Sequence, residues 1–323
     1  MSTGAHETVL NDVRNWLLAG KRVWLCTITE TWGSSPRPAG SWLAVSSDGD
    51  WSGSVSGGCL EEDLLNRCAA GGPDTPQLID YGISDQDRDH FRLPCGGRIR
   101  LLVEPLFSQR DLPHVETVLE ALQTRTPVAR TVSLTSGQAG CEQADIRHSG
   151  VRVEEQVVRH GLIPEFRLLL VGAGEVARYV AEFAGAADFS VTLCEPRPTF
   201  SQGWGHADLP LVQALPDDLV SRSFNDPWAG VLALAHDPRV DDMALLAALN
   251  SSASYVGAMG SARTSAERRA RLKSLGVTEE QLDRLKAPIG INIPSKTPAE
   301  IAISVVADLI TSRQHLRVAH PSL

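Results

Sequence analysis

The run Phe166-Arg167-Leu168-Leu169-Leu170-Val171 leads without a break into Gly172-Ala173-Gly174-Glu175-Val176-Ala177. A continuous apolar run of this length reads as a strand buried on both faces, the usual state in a parallel sheet. The glycine pattern after it is the G-x-G-x-x-G/A turn between strand and helix. In that turn Gly172 makes the tight bend, Gly174 lets a pyrophosphate approach the backbone, and Ala177 allows helix and strand to pack closely. A second strand over residues 190–194 ends in Glu195, about 20 residues on, where an acid takes a ribose hydroxyl. Few architectures satisfy strand, turn, helix, strand and acid in this order. The pattern predicts a Rossmann-like parallel sheet from residue 164 to residue 323. Arg197 closely follows this acid, so the pattern alone leaves NAD and NADP open.

The alternation of strand and helix continues to the end of the chain. A strand over 230–235 runs into His236-Asp237, and one over 254–257 runs into Ala258-Met259-Gly260-Ser261-Ala262-Arg263. Ligands of open α/β sheets lie beyond the carboxyl ends of strands. His236, Asp237, Gly260, Ser261 and Arg263 are therefore candidate ligand contacts, with Ser261 and Arg263 at a helix start suited to phosphate. Thr264-Ser265-Ala266-Glu267, Thr278 to Gln281 and Thr297-Pro298-Ala299-Glu300 read as capping boxes that open helices. The second of these helices is expected to run to about Lys286, and the last from Pro298 to about Arg313.

Residues 1–163 follow another pattern. An amphipathic helix over 8–19, strands over 22–29, 41–46, 51–55, 77–81, 99–104 and 128–134, and helices over 61–70 and 113–124 predict an α+β domain built on hairpins. Residues 135–150 read as irregular, and 151–159 as one strand. Two cysteines here stand against paired glycines, in Gly57-Gly58-Cys59-Leu60-Glu61 and in Pro94-Cys95-Gly96-Gly97. The glycines permit a tight turn close to a ligand. Cys59 stands beside a helix start, where free N–H groups favour an anion and make a thiol more acidic. Gly33-Ser34-Ser35-Pro36-Arg37 is a loop of hydroxyls and one guanidinium, suited to an anion. Neither Gly-flanked cysteine belongs to a C-x-x-C pair, so a structural zinc site is not expected.

The six cysteines, with no secretory leader in view, point to reduced thiols in a cytoplasm. No apolar stretch approaches the roughly 20 residues of a membrane span. The net charge of −9 argues against general attraction to nucleic acid.

As an ordered set, the motifs resemble the XdhC/CoxI family. The N-terminal part of the likeness rests on Gly33-Ser34-Ser35-Pro36-Arg37-Pro38-Ala39-Gly40, Gly53-Ser54-Val55-Ser56-Gly57-Gly58-Cys59 and Pro94-Cys95-Gly96-Gly97. The C-terminal part rests on Gly172-Ala173-Gly174, His236-Asp237, Tyr255-Val256-Gly257-Ala258-Met259-Gly260-Ser261 and Thr297-Pro298-Ala299-Glu300. The segment 290–296 departs from the Gly-Ala ending expected there. The resemblance implies a protein without turnover of its own, which binds the molybdenum cofactor, as molybdopterin or its cytosine dinucleotide. It protects the cofactor during sulfuration and delivers it to an apo molybdenum hydroxylase of the xanthine dehydrogenase type. It also implies a cysteine desulfurase as partner and a homodimer. Cys59 becomes the first candidate to touch molybdenum, and Cys95 the second, since thiolate is a soft ligand. Two other readings stand beside it: an NAD(P)-dependent oxidoreductase with His236 as its proton-transfer group, and a nucleotide-sensing regulatory module.

Overall fold

The structure is a computed structural model, and it describes residues 4–33, 35, 37–58, 60–82, 98–144, 150–206 and 209–318. The chain forms two compact units, Gly4–Pro164 and Glu165–Leu316.

In the first unit, β1 (Val23–Trp32), β2 (Trp42–Ser46), β3 (Trp51–Gly53), β4 (Gln77–Tyr81) and β5 (Arg98–Leu106) make an antiparallel sheet in the order β3-β2-β1-β5-β4. Period-two alternation sorts the central strand between two cores. Val23 and Leu25 meet α1 (Ala5–Leu18) and α3 (Ser108–Gln123) through Val13, Leu17, Val118 and Leu122. Trp24, Cys26 and Ile28 join Leu64 and Cys68 of α2 (Glu61–Ala69) on the other face. A second antiparallel sheet has the order β7-β6-β9-β8, from β6 (Val128–Ser133), β7 (Ala139–Gln143), β8 (Gly150–Glu154) and β9 (Val157–Leu162). Buried Arg130 of β6 ties the sheets together, reaching Glu104 of β5 at 2.7 Å and His114 of α3 at 2.9 Å.

The second unit is a parallel six-stranded sheet, as its sequence predicts. β10 (Arg167–Val171), β11 (Ser190–Cys194), β12 (Leu211–Val212), β13 (Ala229–Ala233), β14 (Tyr255–Ala258) and β15 (Leu285–Lys286) lie in the order β12-β11-β10-β13-β14-β15. All the pairings are parallel. The helices are α4 (Glu175–Ala186), α5 (Pro198–Gln202), α6 (Pro216–Ser223), α7 (Pro238–Leu249), α8 (Ala262–Ser274), α9 (Glu279–Asp283) and α10 (Pro298–Val318). One face of the sheet, with Leu169, Val171 and Val231, packs on Val220 of α6, Leu245 of α7 and Leu272 of α8.

Several local expectations change, among them the helix expected from Pro113, which begins at Ser108. Residues 139–143 form an edge strand rather than irregular chain. Residues 151–159 belong to two strands, which turn at Glu155 with φ at +50°. α8 starts at Ala262 under a cap from Ser261, not at the Thr264 box. The helix expected up to Lys286 stops at Asp283, and Leu285–Lys286 joins the sheet edge. The boxes at Thr278 and Thr297 form with both of their hydrogen bonds.

Candidate functional site

From β10 the sheet runs outward through β11 and β12, and from β13 it runs the other way through β14 and β15. The crevice of such a sheet opens where the order reverses, between the carboxyl ends of β10 and β13. Gly172 leaves β10 at φ +111°, and a Cβ there would stand 2.5 Å from the Ala235 Cα. The absence of a side chain at 172 is thus demanded by the protein's own packing. Gly174 is different. It has an extended backbone, φ −120° and ψ 172°, that any residue adopts, and a Cβ on it would meet nothing within 4 Å. Gly174 is also the N-cap of α4, and no side chain caps that helix. First-turn N–H groups without a cap attract anions.

Glu195 ends β11 with no exposure. Its Oε2 accepts the Ala173 N–H at 3.1 Å and an Arg197 Nη2 bond at 2.8 Å. Its Oε1 accepts the Arg197 backbone N–H at 3.0 Å and Nε at 2.8 Å. Burial pushes the carboxyl up, but these bonds outweigh it, and the group titrates below its ordinary range. Arg197 also lies 3.6 Å from Asp237 and 4.0 Å above the Phe200 ring.

Across the crevice, exposed His236 adopts φ +55°, a conformation uncommon for a residue with a side chain. Asp237 caps α7 through the Arg239 N–H at 3.0 Å. The Arg239 side chain then holds the Asp237 carboxyl down at about 2. One step behind lies a pair that the sequence reading passed over. Asp241, 1% exposed, accepts the Ala235 N–H at 3.0 Å and pairs with Arg268, 3% exposed, at 3.1 Å. Arg268 in turn donates to the Met259 carbonyl at 3.0 Å. The pair therefore joins the ends of β13 and β14. Its signal was an acid at a helix position whose neighbours Val240, Ala244 and Leu245 are all apolar and buried.

The structure thus brings Gly172, Gly174, Glu195, His236 and Asp237 to one crevice, with Gly260 linked to it through Arg268. Ser261 is engaged as a cap, accepting from Thr264 N–H at 3.1 Å. Arg263 is 91% exposed and pairs with Glu267 on its own helix.

In the first unit, the turn over residues 54–58 closes on Glu61. The carboxylate accepts the N–H groups of Val55, Ser56 and Gly58 at 3.0, 2.9 and 2.9 Å. It also accepts the hydroxyls of Ser54 and Ser56. Burial raises its pKa, but the Ser56 hydroxyl and the other donors outweigh that and bring it to about 2. These donors belong to the turn before α2, and no side chain caps the helix start itself. Gly58 sits at φ +123°, which lets its N–H turn inward. Gly57 is exposed beside it, and Arg37 is exposed on its loop. Cys59 and Cys95 lie outside the described residues, as do Ser34 and Pro36. Burial raises the thiols of three core cysteines: Cys68 up to about 12, Cys194 up to about 11 and Cys26 well above its ordinary value. Among the described residues no group of three His, Cys, Asp or Glu is placed to hold a metal ion, and no helix is long and apolar enough to cross a membrane.

Comparison with known proteins agrees with this fold. Residues 168–309 match the XdhC Rossmann domain, and residues 16–82 match the XdhC and CoxI family. The chain is 28% identical over 317 residues to the molybdenum cofactor insertion chaperone PaoD of Escherichia coli (strain K12), covering 97% of this chain and 90% of that one. It is 26% identical over 321 residues to a probable xanthine dehydrogenase subunit of Bacillus subtilis (strain 168), covering 91% and 94%. A crystal structure described as a xanthine dehydrogenase from Bacillus halodurans superposes with a TM-score of 0.72 at 25% identity, covering 97% of this chain and 98% of that one. With a family match in each of its two units, this chain belongs to the XdhC/CoxI family.

Proposed function

We propose that this protein binds the molybdenum cofactor, shields it during sulfuration and delivers it to an apo molybdenum hydroxylase of the xanthine dehydrogenase type. The observation that carries the reading is the likeness to the insertion chaperone over nearly the whole of both chains. The crevice fits such a ligand at its phosphate. An uncapped helix start faces open space at Gly174, and the protein itself gives no steric reason for glycine there. Gly174 and the first-turn N–H groups of α4 would receive a phosphate beside His236, with the Asp237 carboxylate engaged by Arg197 and Arg239. The Cys59 thiolate, with Cys95 second, would meet molybdenum as a soft ligand. The bound group would supply the metal that receives the sulfur; the chain supplies binding, orientation and exclusion of water. A cysteine desulfurase as sulfur donor, a homodimeric state and a cytoplasmic setting belong to the same proposal. So does the Glu61 clamp, which gives the turn before Cys59 one geometry in advance.

Substitution tests the thiol. Cys59→Ala should keep the fold, since the Glu61 clamp is built from the donors of Ser54, Val55, Ser56 and Gly58. It should lower retention of molybdopterin and reconstitution of an apo-hydroxylase by about tenfold or more, the effect of removing one ligand or its support. Equal reconstitution by both proteins would remove Cys59 from the account.

A further inference from the structure

We infer that Arg197 is a specificity determinant of the β10–β13 crevice. It engages Glu195 so that the carboxylate receives no ribose hydroxyl, and the crevice reads a phosphate ester without reading a sugar diol. The inference deepens the proposed function, because it rests on that crevice being the ligand site.

An ionised carboxylate has two oxygens and about four lone-pair sites. At Glu195 four donors fill them: the Arg197 N–H and Nε on Oε1, and the Ala173 N–H and Arg197 Nη2 on Oε2. The side chain has no exposed surface, while Arg197 above it keeps 23%. A ribose hydroxyl at this place would have to displace a bidentate, charge-assisted pair, which is roughly twice as strong as a neutral hydrogen bond. It would also leave the guanidinium with only the longer contact to Asp237. Arg197 is itself held from two further sides, by Asp237 at 3.6 Å and by the Phe200 ring at 4.0 Å. It therefore has no ready alternative position. The acid at the end of β11 stands where a diol-reading residue belongs, and Arg197 has converted it into a structural anchor for the Gly172 turn. The favoured ligand class is a phosphate ester of a planar heterocycle, with half-exposed Phe200 offering ring surface beside the guanidinium. NAD, whose ribose diol such an acid reads, is disfavoured.

The test is isothermal titration of the full chain with ADP and with 2′-deoxy-ADP, which differ only in the hydroxyl at issue. Wild type, Arg197→Ser and Arg197→Lys are compared; the lysine variant keeps the charge but frees lone pairs on Glu195, and guards against a serine variant that does not fold. Wild type should treat the two nucleotides alike, within about twofold, or bind neither, while a folded variant should prefer ADP by about tenfold, the worth of one hydrogen bond to a charged group. A wild-type preference for ADP of about tenfold would overturn the inference, as would the absence of any gained preference in both variants. Loss of the cofactor reading would show separately, as failure of the wild type to retain molybdopterin.

Discussion

Glu61 sets the geometry of the turn that precedes Cys59, and it does so as a buried anion with five donors around it. Its folded pKa of about 2 lies below the ordinary value of 4.5. A depressed carboxyl contributes stability above its unfolded pKa and loses it as pH falls toward the folded one. The contribution is on the order of 3 kcal/mol at neutral pH, from about 1.4 kcal/mol for each tenfold change in proton affinity. Glu61→Gln should therefore lower stability at pH 7 by about 2–3 kcal/mol, since a neutral amide satisfies these donors less well. The gap should narrow as pH falls from above 4.5 toward 2. Urea unfolding of both proteins along a pH series checks this, and a gap that stays constant with pH would show that charge is not the cause. The same residue scale separates two glycines that look alike in sequence. Gly172 is fixed by contact with Ala235, whereas Gly174 faces open space.

At the scale of elements, the Asp241–Arg268 pair holds the ends of β13 and β14 in register beside the crevice. Breaking a buried pair from one side leaves an uncompensated charge, which costs about 3–5 kcal/mol. Arg268→Met should show a loss of that size in equilibrium unfolding. Adding Asp241→Asn, which keeps an oxygen for the Ala235 N–H, should recover much of it. A double variant no better than the single would mean that Arg268 acts by packing alone. The strands and helices around this pair were legible because their apolar runs and turn residues agree, as in Leu168–Val171 and Gly172. Strand Ala139–Gln143 was not legible. Its inward face is only Ala139 and Cys141, between exposed Gly140, Glu142 and Gln143, too short and too small an apolar pattern to stand out; backbone bonds to β6 complete the pairing. The β8–β9 turn was hidden because Glu155 adopts a positive φ without the glycine or asparagine that announces one. For the crevice, spacing placed Glu195 correctly at the end of β11. It did not show that Arg197 folds back on it, because an arginine two residues on satisfies the same sequence while facing solvent.

The whole molecule combines a parallel-sheet unit with an anion-ready crevice and an antiparallel unit with a preformed turn before Cys59. Both units match the XdhC/CoxI family. The net charge of −9 argues against general attraction to nucleic acid. The account stands on cofactor binding, and the most direct measurement is equilibrium binding of molybdopterin to the full chain, read as fluorescence of the oxidised pterin. Wild type is run beside Gly174→Asp, which places a carboxylate in the open space before α4, and NAD is added as competitor. The account predicts saturable binding by wild type, insensitivity to NAD, and loss of binding in Gly174→Asp. Absence of pterin binding together with saturation by NAD would contradict it and turn the search toward an oxidoreductase substrate.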